Sequence, residues 1–226
     1  MDNVSLRTKR ELKRKNENRR FILEVSEKLF IRNGYRNTSM DEIAEEAQFS
    51  KATVYRYFDR KLDILTHIVL NSVQEARSEI VRISQKKISA EKRIIELIHY
   101  ILLYFHEKKN LARILFMERD LIRKFIDVEK GGHFPHYFKK KAVPQSIETI
   151  FEDIFDQICG VIKEGISLGE FRKVNPREAC FILNSILRGF HFKGFSKVKD
   201  YSVERGTELI HDIFLNGIKN SSKEKF

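Results

Sequence analysis

The chain has 226 residues, 42% of them hydrophobic, with a formal net charge of +11 and only two cysteines. That length leaves room for one large or two modest domains with a real core. No long uncharged apolar run is present, which excludes a membrane-spanning helix, and the N-terminus is charged rather than signal-like, so a cytoplasmic globular protein is expected. The positive balance favours an anionic partner such as DNA, RNA, anionic lipid or a phosphorylated ligand. Residues 1–61 hold fifteen Lys/Arg against ten Asp/Glu, so about half of the excess sits in the first quarter. Cys159 and Cys180 fall inside apolar helical patterns and read as small buried hydrophobes rather than a redox pair.

Residues 1–18 are basic and nearly free of apolar side chains, and are expected to form a mobile arm running into the first helix. Such an arm is either a solvated tail or a phosphate or minor-groove contact. From about Arg19, the stripe Ile22, Val25, Leu29 and Phe30 predicts a helix that Gly34 ends in a left-handed cap. Thr38 and Ser39 are each followed three residues later by an acid (Asp41, Glu42), a capping-box start for a short helix carrying Ile43, Ala44 and Ala47. Gln48 and Phe49 leave a tight turn before Ser50, which caps a second short helix from Lys51 to about Phe58. Val54 and Phe58 share its inner face; Lys51, Thr53, Arg56 and Tyr57 fall mostly elsewhere. Two short helices, a tight turn and a basic polar outer face define a helix-turn-helix over residues 19–61.

Residues 62–226 read as helices throughout. Apolar positions from Leu62 to Ile83 predict one long helix. Ser89 opens another that is apolar nearly all round and so central to the body. Asn110 starts a further run to Phe125, and residues 127–145 read as a loop, with two Gly and two Pro. A helix follows from Ser146 to Gly169, then one starting at Asn175-Pro176, and a last one from about Val203. The fold class expected is all-α, about nine helices, with a small head and a larger body.

The order Ile22, Leu23, Leu29, Phe30, Gly34, Tyr35, Thr38, Ser39, Ile43, Ala44, Ala47, Ser50, Lys51, Thr53, Tyr55, Tyr57, Phe58, Lys61 resembles the DNA-binding domain of the tetracycline-repressor (TetR) family of bacterial regulators. Two departures stand out: Gln48 where a turn Gly is common, and Ala52 where Gly often begins the reading helix. More weakly, Gly165-Ile166, Gly169-Glu170-Phe171-Arg172 and Asn175-Pro176 resemble the form preceding the last two helices of these proteins.

For DNA, Lys51, Arg56 and Lys61 supply cations, and Thr38, Ser39, Tyr55 and Tyr57 supply hydroxyls near helix N-termini, where phosphates are favoured. The resemblance implies that Tyr55 and Lys61 grip phosphates. It also implies that Lys51 and Thr53, behind the capping Ser50, face the groove floor. Ala52 would touch a thymine methyl, and Tyr57 is open to either role. The resemblance further implies a body that encloses a small-molecule pocket, with His99, Tyr100, Tyr104, Arg119, Phe151 and Phe155 as candidate lining. It implies pairing of the last two helices across a two-fold axis, with Ala179, Ile182, Leu183, Ile186, Phe190, Ile210 and Phe214 as candidate interface residues. Ordinary core packing explains any single one of these equally well.

Catalytic signals are poor. His99 and His106 stand about 10 Å apart along a helix, His133 and His136 lack a third ligand of suitable spacing, and no nucleophile motif or phosphate loop is present. No metal or cofactor is expected, and the chain is not expected to be an enzyme. The expected function is a homodimeric regulator, most often a repressor, that leaves a double-stranded DNA operator when a lipophilic effector binds. A constitutive or architectural DNA-binding protein without a ligand is the alternative.

Overall fold

The computed structural model describes residues 6–108, 146–189 and 202–218. Among these the chain is all-α. In chain order the helices are α1 (Leu6–Asn33), α2 (Met40–Glu46), α3 (Lys51–Tyr57), α4 (Lys61–Ser84), α5 (Ala90–Glu107), α6 (Ser146–Ser167), α7 (Pro176–Gly189) and α8 (Val203–Ile210). A π-helical stretch, His211–Leu215, and a last turn, Asn216–Ile218, prolong α8. The expected helix from Asn110, the loop over 127–145 with His133 and His136, and the candidates Arg119 and Phe190 lie outside the described residues.

The described residues form two compact units that divide within α4, after Ser72. In the first unit Ile22, Leu23, Val25, Leu29 and Phe30 of α1 are buried together with Ile43, Ala44, Ala47, Val54, Phe58, Ile64 and Leu65. This small core is tied by caps at each helix end. Gly34, at φ +84°, closes α1 by donating its N–H to the Phe30 carbonyl, 3.1 Å, which is the left-handed cap expected. Ser39 and Glu42 exchange reciprocal hydrogen bonds at the start of α2, and Ser50 Oγ accepts the Thr53 N–H at the start of α3.

From Leu6 onward the expected arm is helical, so α1 starts well before Arg19. Arg, Lys, Glu and Leu are all good helix formers. Lys13 lies 3.9 Å from Glu17 and Arg20 3.4 Å from Glu24, each pair one turn apart. Propensity therefore carries the helix on where no apolar stripe requires it.

In the second unit α5 is the central element, packed by α6 and α8 and touched by α7. Its Ile94, Leu97, Ile98 and Leu102 are fully buried. The α6 end is a Schellman motif: Glu170 N–H reaches the Gly165 carbonyl, Gly169 N–H the Ile166 carbonyl, and Gly169 sits at φ +73°. A Cβ on Gly165 would stand 2.4 Å from the Phe171 ring and 2.9 Å from the Ala90 Cβ. Only glycine lets α6, α5 and the Phe171 ring meet this closely. The one buried charge in this unit's described core, Arg93, is paired with Glu164 at 2.6 Å and donates to the Ser84 carbonyl. The Arg93 guanidinium holds the Glu164 carboxyl below its usual range.

Candidate nucleic-acid interface

The α2–α3 turn sets how α3 is presented. Phe49 N–H donates to the Ala44 carbonyl at 2.9 Å and Gln48 N–H to the Glu45 carbonyl at 3.0 Å. That is again the Schellman pattern, with Gln48 in the left-handed position at φ 56°. Below α3, Val54 and Phe58 are buried. Lys51, Ala52, Tyr55 and Arg56 are exposed. At 100° per residue these four span about 140° of the helix, so they form one outward face. It carries two cations, one phenol and one methyl, the chemistry of a groove-reading surface.

The remaining sequence candidates are less free than their residue types suggested. Lys51 Nζ is 2.6 Å from an Asp41 carboxylate oxygen, which raises its pKa, mainly through that hydrogen bond. The sequence offered Asp41 only as a helix-start acid; its pairing with Lys51, ten residues on, was not visible there. Ser50 Oγ also lies 2.8 Å from the Thr53 hydroxyl, and Thr53 is half-buried. Tyr57 is half-buried and accepts a hydrogen bond from Asn18 Nδ2 at 3.3 Å, while Arg56 sits over its ring. Thr38 is buried, and its hydroxyl donates to the Gly34 carbonyl at 2.9 Å, so it is not a hydroxyl displayed to a phosphate. Ser39 is exposed, with its oxygen engaged in the capping box. Lys61 is half-buried and donates to the carbonyls of Tyr35, Arg36 and Thr38.

The candidates of the second unit separate as well. His99 Nδ1 is 3.3 Å from the Thr207 hydroxyl. Tyr100 and Tyr104 are half-buried and tilt toward each other, with centroids 6.2 Å apart. Burial pushes the Tyr100 phenol up to about 12, so it stays neutral. Phe151 and Phe155 are half-buried on α6, and the Arg177 guanidinium lies over the Phe155 ring at 5.4 Å. Of the candidate interface residues, Ala179, Leu183, Ile210 and Phe214 are buried within the chain's own core, against α5 and α6. In this chain they take part in internal packing. Ile186 is partly buried against the same core, whereas Ile182 is exposed on α7 beside Phe181, which periodicity had not singled out.

A capped helix-turn-helix with a cationic, hydroxyl-bearing outer face defines a DNA-binding transcriptional regulator. Residues 22–68 match the family described as bacterial regulatory proteins, tetR family. The chain is 27% identical over 171 residues to the Bacillus subtilis HTH-type transcriptional regulator YvkB, covering 75% of this chain and 78% of that one. It is 22% identical over 167 residues to the HTH-type regulator YhgD of the same organism, covering 74% and 78%. In structure it matches a transcriptional regulator from Saccharomonospora viridis in complex with choline, with a TM-score of 0.71 and 22% identity, over 91% of this chain and 99% of that one. It also matches SmeT bound to triclosan, with a TM-score of 0.66 and 18% identity, over 91% and 93%. Over residues 22–68 the chain carries the DNA-binding domain of the tetR family of bacterial regulators, and the relatives it resembles beyond that are HTH-type transcriptional regulators.

Proposed function

We propose that the chain is a homodimeric repressor in which residues 19–61 read DNA and the helices from α4 onward bind an effector and pair the subunits. The observation that carries DNA reading is the outward face of α3, Lys51, Ala52, Tyr55 and Arg56, held by caps at Ser39 and Ser50. On an operator, Lys51 would exchange Asp41 for a phosphate or base acceptor, and Tyr55 would donate to a phosphate. One head reads one half-site, so a two-fold dimer reading successive major grooves is the simplest complete reader.

For the effector, the half-buried aromatics Tyr100, Tyr104, Phe151 and Phe155 offer apolar surface with neutral phenols, which suits a lipophilic or amphipathic molecule. Of two structural relatives, one is a complex with triclosan, a lipophilic molecule, and the other with choline, a small quaternary ammonium cation of the kind aromatic faces also hold. Release follows if the effector prefers a body geometry in which the heads misfit the operator. Selection of bound duplexes from random sequence, followed by titration of the selected complex with amphipathic compounds, tests both parts. A two-fold operator lost on Lys51→Ala, and a complex dissociated by an apolar compound, is the expected result. A selected operator that no compound releases would leave a constitutive DNA-binding protein instead.

A further inference from the structure

The first unit carries a second concentration of positive charge that α3 does not use. The core contribution of α1 begins at Ile22, and Asn18, Arg19 and Phe21 just before it meet Tyr57 of α3, His67 of α4 and Phe49 of the α2–α3 turn. Residues 6–17, LRTKRELKRKNE, precede all of these, with six Lys/Arg against two Glu. Lys9, Arg10, Lys13 and Arg14 are exposed and fall within about 140° of the helix circumference. Twelve residues of helix extend about 18 Å, the length of roughly five base pairs at ~3.4 Å each.

Two contacts say where this segment emerges. Asn18 bonds Tyr57, the last residue of α3. Phe21 meets Phe49, two residues before α3, edge to face at 6.2 Å. Near its residue 20, α1 therefore lies against both ends of α3, while its far end leads through Gly34 to α2. The N-terminal continuation leaves the head beside the helix that reads DNA. Propensity and the Lys13–Glu17 pair hold the segment helical, yet its charge is unbalanced. Lys9 and Lys13, and Arg10 and Arg14, are like charges one turn apart, and its first turn has no acid to balance the helix dipole. A polyanion alongside would relieve both.

We propose that residues 6–17 of α1 are a second DNA-binding element, a cationic helix that lies along the phosphates next to the half-site read by α3. It adds affinity without adding sequence choice, and it rests on the reading of the head as a DNA reader. The test compares the full chain with the quadruple variant Lys9→Gln, Arg10→Gln, Lys13→Gln, Arg14→Gln on one selected operator, by anisotropy at several salt concentrations and by hydroxyl-radical footprinting. Glutamine keeps helix propensity, and circular dichroism confirms that the variant folds. The expected result is a salt slope shallower by about two to four per subunit, at ~0.9 per phosphate released. Binding at 100 mM salt should weaken at least tenfold, and the protected backbone should shorten by a few base pairs per half-site, with the preferred bases unchanged. Equal slopes, affinities and footprints for the two proteins would overturn the inference. A full chain that selects no sequence at all would instead sink the reading of the head on which it rests.

Discussion

The Lys61 ammonium lies 4.5 Å from the centroid of the Tyr35 ring while it donates to the Tyr35 backbone carbonyl. The same ammonium also reaches the carbonyls of Arg36 and Thr38. The first residue of α4 thus ties down the connection between α1 and α2, where five residues after Gly34 run without helical hydrogen bonding. Its cation–π contact and three acceptors engage the charge inside the head in the absence of DNA; the family resemblance implied a phosphate grip for the same residue.

Lys61→Met therefore lowers stability in the absence of DNA. It keeps the aliphatic stem but removes the donor shared by three carbonyls that are part-buried or exposed, a loss of about 1 kcal/mol. Thermal unfolding of the DNA-free protein measures this. A variant with unchanged melting temperature but weakened binding to every duplex would return Lys61 to the phosphate role.

What could be read from the chain alone was what depends on neighbours within one helical turn. Ser39 with Glu42, Ser50 as the cap of α3 and Gly34 as a left-handed end all follow from local spacing, and the structure bears each out; Gly169, read only as the end of a helix, is left-handed as well. The role of Lys61 was not legible because its partners lie 23 to 26 residues away. The start of α1 was missed because apolar periodicity, the usual signal, is absent from residues 6–17. On α7 both faces carry apolar residues, Leu183 inward and Phe181 and Ile182 outward, so periodicity could not say which face meets the core and which meets solvent.

Gln48 illustrates a departure whose consequence is now specific. A non-glycine residue at φ 56° costs about 1–2 kcal/mol relative to a helical conformation, and the Schellman geometry at the α2–α3 turn requires it. Gln48→Gly should raise stability by about 1 kcal/mol, with part of the relief offset by the greater freedom of glycine in the unfolded chain. Denaturant titration of the two proteins reads the difference. A destabilised glycine variant would mean that the Gln48 side chain contributes more than its backbone strain costs.

His67 should make the head sensitive to acid. Burial first, then the nearby Arg19 guanidinium, lower its pKa below 6.5, with Asp63 opposing. Arg19 donates to its Nε2 at 2.8 Å, and the Phe58 ring lies at 5.7 Å. The folded state thus binds this proton less readily than the unfolded one. Stability from this group is complete above about pH 6.5 and is lost as pH falls through that value toward the lower folded pKa. Substituting His67→Asn should flatten the stability profile between pH 7.5 and 5.5 relative to the unsubstituted chain. Parallel profiles for the two proteins would show that His67 is not the group responsible.

Ile182 and Leu183 are adjacent on α7 yet meet different surroundings, at 53% and 1% exposure. Leu183 belongs to the core with Ile98 and Ile162, so Leu183→Ala should cost about 2–5 kcal/mol and reduce dimerisation only through loss of fold. Ile182 shares its outward face with Phe181, Ser185 and Gly189, all exposed. Small residues beside two large apolar ones allow another helix to approach closely there. Ile182→Glu should leave the melting temperature of the subunit nearly unchanged while shifting sedimentation from dimer to monomer at micromolar concentration, because pairing would bury the carboxylate without a partner. A dimer that persists in the Ile182→Glu protein would show that this face of α7 is not where the subunits meet.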